Sequence, residues 1–158
     1  MYNLNLLYQK LLETDYKGLD KLEADFLMKL YVDFSENPLP WITSFLTISN
    51  WLASSLRSGV WTFYEVWNLQ QMRITVEYLR ETGEDELADI FEKGIHDYQN
   101  PQYAQNYDYP EEWLEEASGI DDWIWQHQDD LQKWEYNTLV INKDSILGEP
   151  ISGPTESP

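Results

Sequence analysis

Carboxylates at helical spacing are the groups in this chain most able to do chemistry. Glu111 and Glu115, and Glu112 and Glu116, make two acid pairs four residues apart, and Asp121, Asp122 and Asp129 follow them. On a helix, such pairs hold their Cβ atoms about 5–6 Å from one another, and like charges there cost a few tenths of a kcal/mol. A sequence that repeatedly accepts this cost is either simply acidic or uses the charge. In the second case the carboxylates stand in for phosphates. Duplex DNA carries one charge per roughly 1.7 Å of axis over both strands, a density that paired acidic helices approach. Trp125 sits among Asp121, Asp122 and Asp129, where it is either covered by a neighbouring segment or serves as an interface anchor. The candidate protein-binding residues are therefore Glu111, Glu112, Glu115, Glu116, Asp121, Asp122, Trp125 and Asp129.

Catalytic chemistry has little to stand on. His96 and His127 are the only histidines. Glu92 and His96 are spaced to share a metal, but no third ligand is evident, and His127 reads as a partly buried core residue. The absence of cysteine removes thiolate nucleophiles, disulfides and cysteine-based zinc sites. The acid doublets lack the glycine-bearing loop of an EF-hand, and neither a phosphate-cradling glycine loop nor a Gly-x-Ser-x-Gly elbow is present. Paired carboxylates serve glycoside hydrolysis only where a dry cleft holds them, and nothing in the sequence builds one. The expectation is a non-catalytic protein with no cofactor and no metal.

Charge points the same way. Twenty-nine acids against ten bases give a net charge of −19. Such a field opposes direct binding to nucleic acid or anionic membrane and favours cationic partners, whose encounter it steers. Between Glu81 and Glu135 lie seventeen acids and two bases, Lys93 and Lys133, which places fifteen of the nineteen net charges in that stretch. Acidity serving solubility alone does not require such segregation.

The elements that must position these groups are helical. Leu4, Leu7 (or Tyr8), Leu11 and Leu12 predict a first helix over 4–14, ended by Lys17-Gly18. Asp20 and Glu23 have capping-box spacing ahead of a second helix with Leu22, Phe26, Leu30 and Phe34 inward. Prolines 38 and 40 end it. Trp41 to Leu56 is read as a central buried helix, with Phe45, Ile48 (or Ser49), Leu52 and Leu56 in period. Met72, Val76 and Leu79 predict another helix, closed by Gly83 as a residue free to take positive φ. Glu84, Asp85 and Glu86 fill the first turn of the next, where carboxylates favour the positive end of the dipole. Its stripe is Leu87, Phe91, Ile95 and Tyr98, with Gly94 as a close-packing point. Residues 100–110 read as a loop with three tyrosines, a core flap or a dimer contact. A short helix over 111–117 is separated by Ser118-Gly119 from a last strong helix over about 120–136. Residues 138–147 suit a helix or a short strand, and 148–158 a disordered tail.

Ser58-Gly59, Phe63-Tyr64, Leu79, Thr82-Gly83, Leu87-Ala88 and Asp121-Asp122-Trp123 together resemble a bacterial domain family of unknown function that includes acidic DNA-mimic proteins. The resemblance spans about residues 54–139. It departs from the family pattern where Ser58 replaces a second glycine beside Gly59, and where Val66 stands in place of an asparagine. These are packing motifs. The resemblance implies a DNA mimic that occupies the basic surface of a DNA-binding protein such as a transcription factor, and it implies a homodimer.

The sequence is thus read as an all-α single domain of six or seven helices over residues 1–147, with a flexible tail over 148–158. It shows no leader of secretory type and no run of roughly 18 apolar residues, so a cytoplasmic location is expected. Two further readings stand beside mimicry. One is an immunity-type protein that neutralises a cationic toxin. The other is a small hydrolase or carbohydrate binder using the surplus tryptophans, which needs a pocket with convergent polar groups.

Overall fold

The computed structural model describes residues 3–148. In chain order the elements are α1 (Leu4–Leu12), a 3-10 helix (Tyr16–Lys21), α2 (Glu23–Asp33), α3 (Pro40–Ser58), α4 (Trp61–Val66), α5 (Leu69–Glu81), α6 (Asp85–Lys93), α7 (Pro101–Ala104), α8 (Glu111–Gln126), α9 (Gln128–Ile141) and α10 (Lys143–Leu147). The described residues are all-α, without a strand, but they make eleven helices rather than six or seven. The surplus is mainly short helices, such as α4, α7 and α10, whose few residues do not complete an apolar period. Apart from Gly148, the tail expected at 148–158 lies outside the described residues. No helix among the described residues is long and apolar enough to cross a membrane.

Contacts gather the described residues into two compact units: 3–38 with 129–148, and Leu39–Gln128. In the second unit, α3 is the organising helix. Pro40 starts it at a position where a missing N–H costs nothing. From Trp41 to Phe45 every side chain is buried, as are Thr47, Ile48, Ser49 and Trp51. A helix covered all round belongs to an interior. The expected stripe holds at Phe45 and Ile48 and fails at Leu56, which is exposed beside Arg57 at the helix end.

Met72, Val76 and Leu79 of α5 are buried as predicted, and the Asn68 side chain caps that helix by accepting from Gln71 N–H at 3.0 Å. Its far end is a Schellman closure. Gly83 takes φ +82°, its N–H donates to Arg80 O, and Glu84 N–H donates to Leu79 O at 2.8 Å. Helix α6 stops at Lys93, so Ile95 and Tyr98 follow the helix rather than extend its stripe, although Tyr98 is fully buried. Gly94 is the close-packing point expected of it: a Cβ there would lie 2.3 Å from the Tyr64 ring. That ring is fixed in turn, its hydroxyl donating to Phe91 O at 2.7 Å and accepting from Trp51 Nε1 at 2.9 Å.

The break predicted at Ser118-Gly119 does not form. Helix α8 runs unbroken through it, and the chain breaks instead at His127, where φ is −117° and ψ 20°. The tyrosine loop contains the short α7, started by Asn100 accepting from Gln102 N–H. Tyr109 is buried and donates its hydroxyl to Glu65, Tyr103 meets Trp113 edge-on, and Tyr107 is exposed.

In the first unit, Leu4, Leu7, Tyr8 and Leu11 of α1 are buried with Phe26 and Leu30 of α2 and Leu131, Trp134 and Leu139 of α9. Tyr8 packs edge-on against Phe26 and donates to Leu139 O at 2.9 Å. The predicted capping box is replaced. Asp15 caps the 3-10 helix by accepting from Lys17 N–H, Asp20 accepts from Gln132 Nε2, and α2 begins behind Leu22 with no side-chain cap. Residues 138–147 are helical, as the end of α9 and α10.

Candidate functional site

Helix α8 carries seven of the eight candidate residues, all but Asp129. Successive side chains on a helix point about 100° apart, so the members of an acid doublet cannot face the same way. Glu111, Glu115, Ser118, Asp122 and Trp125 follow steps of four and three and are all exposed. They form one outward stripe about 21 Å long at 1.5 Å per residue. Trp125 closes it at 71% exposure, so no neighbouring segment covers that indole among the described residues. Glu112 is exposed on the flank. Among the described residues no Lys or Arg pairs with Glu111, Glu112, Glu115 or Asp122.

The remaining members are spent inside the fold. Asp121 accepts from Ser55 Oγ at 2.5 Å and from Val60 N–H at 3.0 Å, tying α8 to the end of α3 and the start of α4. Glu116 lies 2.6 Å from His96 Nε2, and because an ionised carboxylate only accepts, that ring nitrogen carries the proton. Asp129 belongs to the other unit. There it accepts from the Tyr16 hydroxyl at 2.8 Å and pairs with Lys133 at 3.2 Å. The Tyr16 hydrogen bond first, then Lys133, holds the Asp129 carboxyl below its usual range. The acidic face expected to hold Asp121 and Asp129 is thus narrower than the sequence implies.

A second source of charge adjoins it. Glu84, Asp85 and Glu86 open α6 and are exposed, and Glu86 accepts from Trp123 Nε1 of α8 at 3.4 Å. In sequence these acids read only as helix-start residues. Their proximity to α8 is tertiary. They matter quantitatively, because the four exposed acids between Glu111 and Asp122 span about 17 Å at 1.5 Å per residue and give roughly one charge per 4 Å, sparser than the ~3.4 Å of a single DNA strand. The first turn of α6 adds three further exposed carboxylates on the side where Glu86 meets Trp123.

Glu92 and His96, whose spacing alone would let them share a metal, turn to different partners. Glu92 binds Arg80 at 2.8 Å, Arg80 also pairs with Asp89 at 2.9 Å, and His96 turns to Glu116. No group of three or more potential ligands is placed to hold a metal among the described residues. His127 is half-buried, stacked on Trp123 with centroids 4.1 Å apart, and its Nδ1 donates to Trp123 O.

Beside the stripe is an open hollow of about 550 Å³, lined by Lys93, His96, Glu112, Trp113, Glu115, Glu116 and Gly119. The Trp113 indole is stacked on His96, centroids 4.9 Å apart and planes within 5°, and Tyr98 and Tyr103 pack against it. Gly119 would place a Cβ with no atom within 4 Å.

Comparison with protein-family models, curated proteins and solved structures finds no match to this chain.

Proposed function

We propose that this protein is a non-catalytic binding module whose acidic surface occupies the basic face of a DNA-binding protein, as a DNA mimic. The observation that carries the reading is the exposed stripe of Glu111, Glu115 and Asp122 ending in Trp125, reinforced by Glu112 and by the first turn of α6. Carboxylates without internal cations are available to a partner's Lys and Arg, and an exposed tryptophan at the end of the row supplies the apolar anchor that charge alone lacks. The composition of the exposed stripe fits a cationic protein partner and opposes nucleic acid itself. Cytoplasmic residence and homodimerisation belong to the same proposal.

The test is capture of partners from native lysate at low and high salt, with wild type and a Glu111/Glu115/Asp122→Gln/Gln/Asn variant. Asp121 and Asp129 are left intact because both are bonded within the fold. Mimicry predicts a DNA-binding protein that is retained at low salt, lost in the variant and displaced by duplex DNA. Retention of a cationic toxin unaffected by duplex DNA would replace mimicry with immunity. Equal retention by the variant would reduce the stripe to a solvated surface.

A further inference from the structure

The geometry points to the hollow between α8 and the end of α6 as a seat for an arginine side chain of the basic partner. This rests on the acidic-surface reading and makes it specific. The volume, about 550 Å³, lies within the roughly 300–1,000 Å³ typical of ligand pockets. Three carboxylates line it, those of Glu112, Glu115 and Glu116, against the single ammonium of Lys93, so the lining favours a cation. Glu116 is already held by His96, which leaves Glu112 and Glu115 as the acceptors open to a guest.

The guest is argued from shape. Trp113 and His96 stack face to face at one wall, and Tyr98 and Tyr103 pack against Trp113, so that aromatic wall is pre-positioned. A guanidinium is planar, stacks on aromatic faces and offers forked donors to carboxylates, whereas an ammonium is a strongly hydrated point charge. Gly119 keeps the opening clear. Glycine inside a helix costs stability relative to alanine, Gly119 lacks the positive φ that would require one, and nothing lies within 4 Å of its missing Cβ. A side chain there would instead project into the hollow that Gly119 lines.

The experiment titrates the full chain with two peptides of equal charge, octa-arginine and octa-lysine, at low salt, by calorimetry and tryptophan fluorescence. The variants are Glu112→Gln and Gly119→Leu in the hollow, and Glu111→Gln on the same helix outside it, each checked for wild-type helicity. Wild type should prefer the arginine peptide by about tenfold, as expected of charge-assisted, stacked contacts. Glu112→Gln and Gly119→Leu should collapse that preference, while Glu111→Gln weakens both peptides alike. Equal binding of the two peptides by wild type, or a preference that survives both hollow variants, overturns the arginine seat while leaving the acidic surface intact. Failure of both peptides to bind wild type overturns the surface reading as well.

Discussion

Adjacent residues Asp121 and Asp122 have different tasks, and their substitutions should separate. Asp121 receives two hydrogen bonds from Ser55 and Val60, the second satisfying a backbone N–H at the start of α4. Hydrogen bonds to a charged group are worth about 1.5–3 kcal/mol, and loss of one partner leaves the other unsatisfied. Asp121→Ala should therefore lower unfolding free energy by about 2 kcal/mol in urea denaturation. Asp122→Ala, on the exposed face, should stay within about 0.5 kcal/mol of wild type. Indistinguishable midpoints for the two variants would contradict the assignment. Gly94 offers a second residue-level test. The Tyr64 ring that a Cβ would strike cannot retreat without breaking its bonds to Phe91 and Trp51. Gly94→Ala should cost about 1–3 kcal/mol by overpacking, and a neutral result would mean that the ring moves freely. Glycine's role at this position was legible as close packing; the ring it accommodates was not.

At the scale of elements, the apolar periods located most helices, because burial on one face is what makes a surface helix stable. Breaks were harder to read. Ser118-Gly119 resembles a terminator, yet α8 continues through it, since two weak helix formers are outweighed by Ala117, Ile120 and Ile124 buried on the same helix. The true break at His127 carries no glycine or proline. The ring stacks on Trp123 and donates back to its carbonyl, and the backbone N–H reaches both Trp123 and Ile124 carbonyls. Gly119 is the residue to test here. Gly119→Ala should stabilise the protein by up to about 1 kcal/mol, the helix-propensity difference, read as a raised denaturation midpoint. A destabilised variant would show that the space beside Gly119 is occupied rather than open.

At the scale of the molecule, buried phenols set an alkaline limit. Tyr8, Tyr64, Tyr98 and Tyr109 are buried, and burial is the leading cause that raises each of their pKa values, for Tyr98 from 10.0 up to about 12. A folded-state pKa above the unfolded one means that stability is whole below about pH 10 and drains as pH rises through the folded value. Helicity should therefore hold to about pH 10 and be lost between there and about pH 12, with a class of tyrosines ionising only as it is lost. Tyr98→Phe should flatten this dependence. Eleven tyrosines titrating together near pH 10 with helicity intact would refute it.

What the sequence alone determined is the local and the compositional: the all-α class, the buried course of α3, the Gly83 closure, and a charge of −19 concentrated after Glu81. These follow from periodicity, backbone freedom and counting, which need no knowledge of neighbours. Tertiary structure alone decided which carboxylates are spent and which are available. Asp121, Glu116 and Asp129 have the same chemistry as Asp122, Glu115 and Glu111, but Ser55, His96 and Tyr16 reach the former group across long sequence separations. Trp125 likewise had two open fates until packing left it exposed. A side chain's availability depends on what the rest of the chain brings beside it, and that information is not carried by its own spacing.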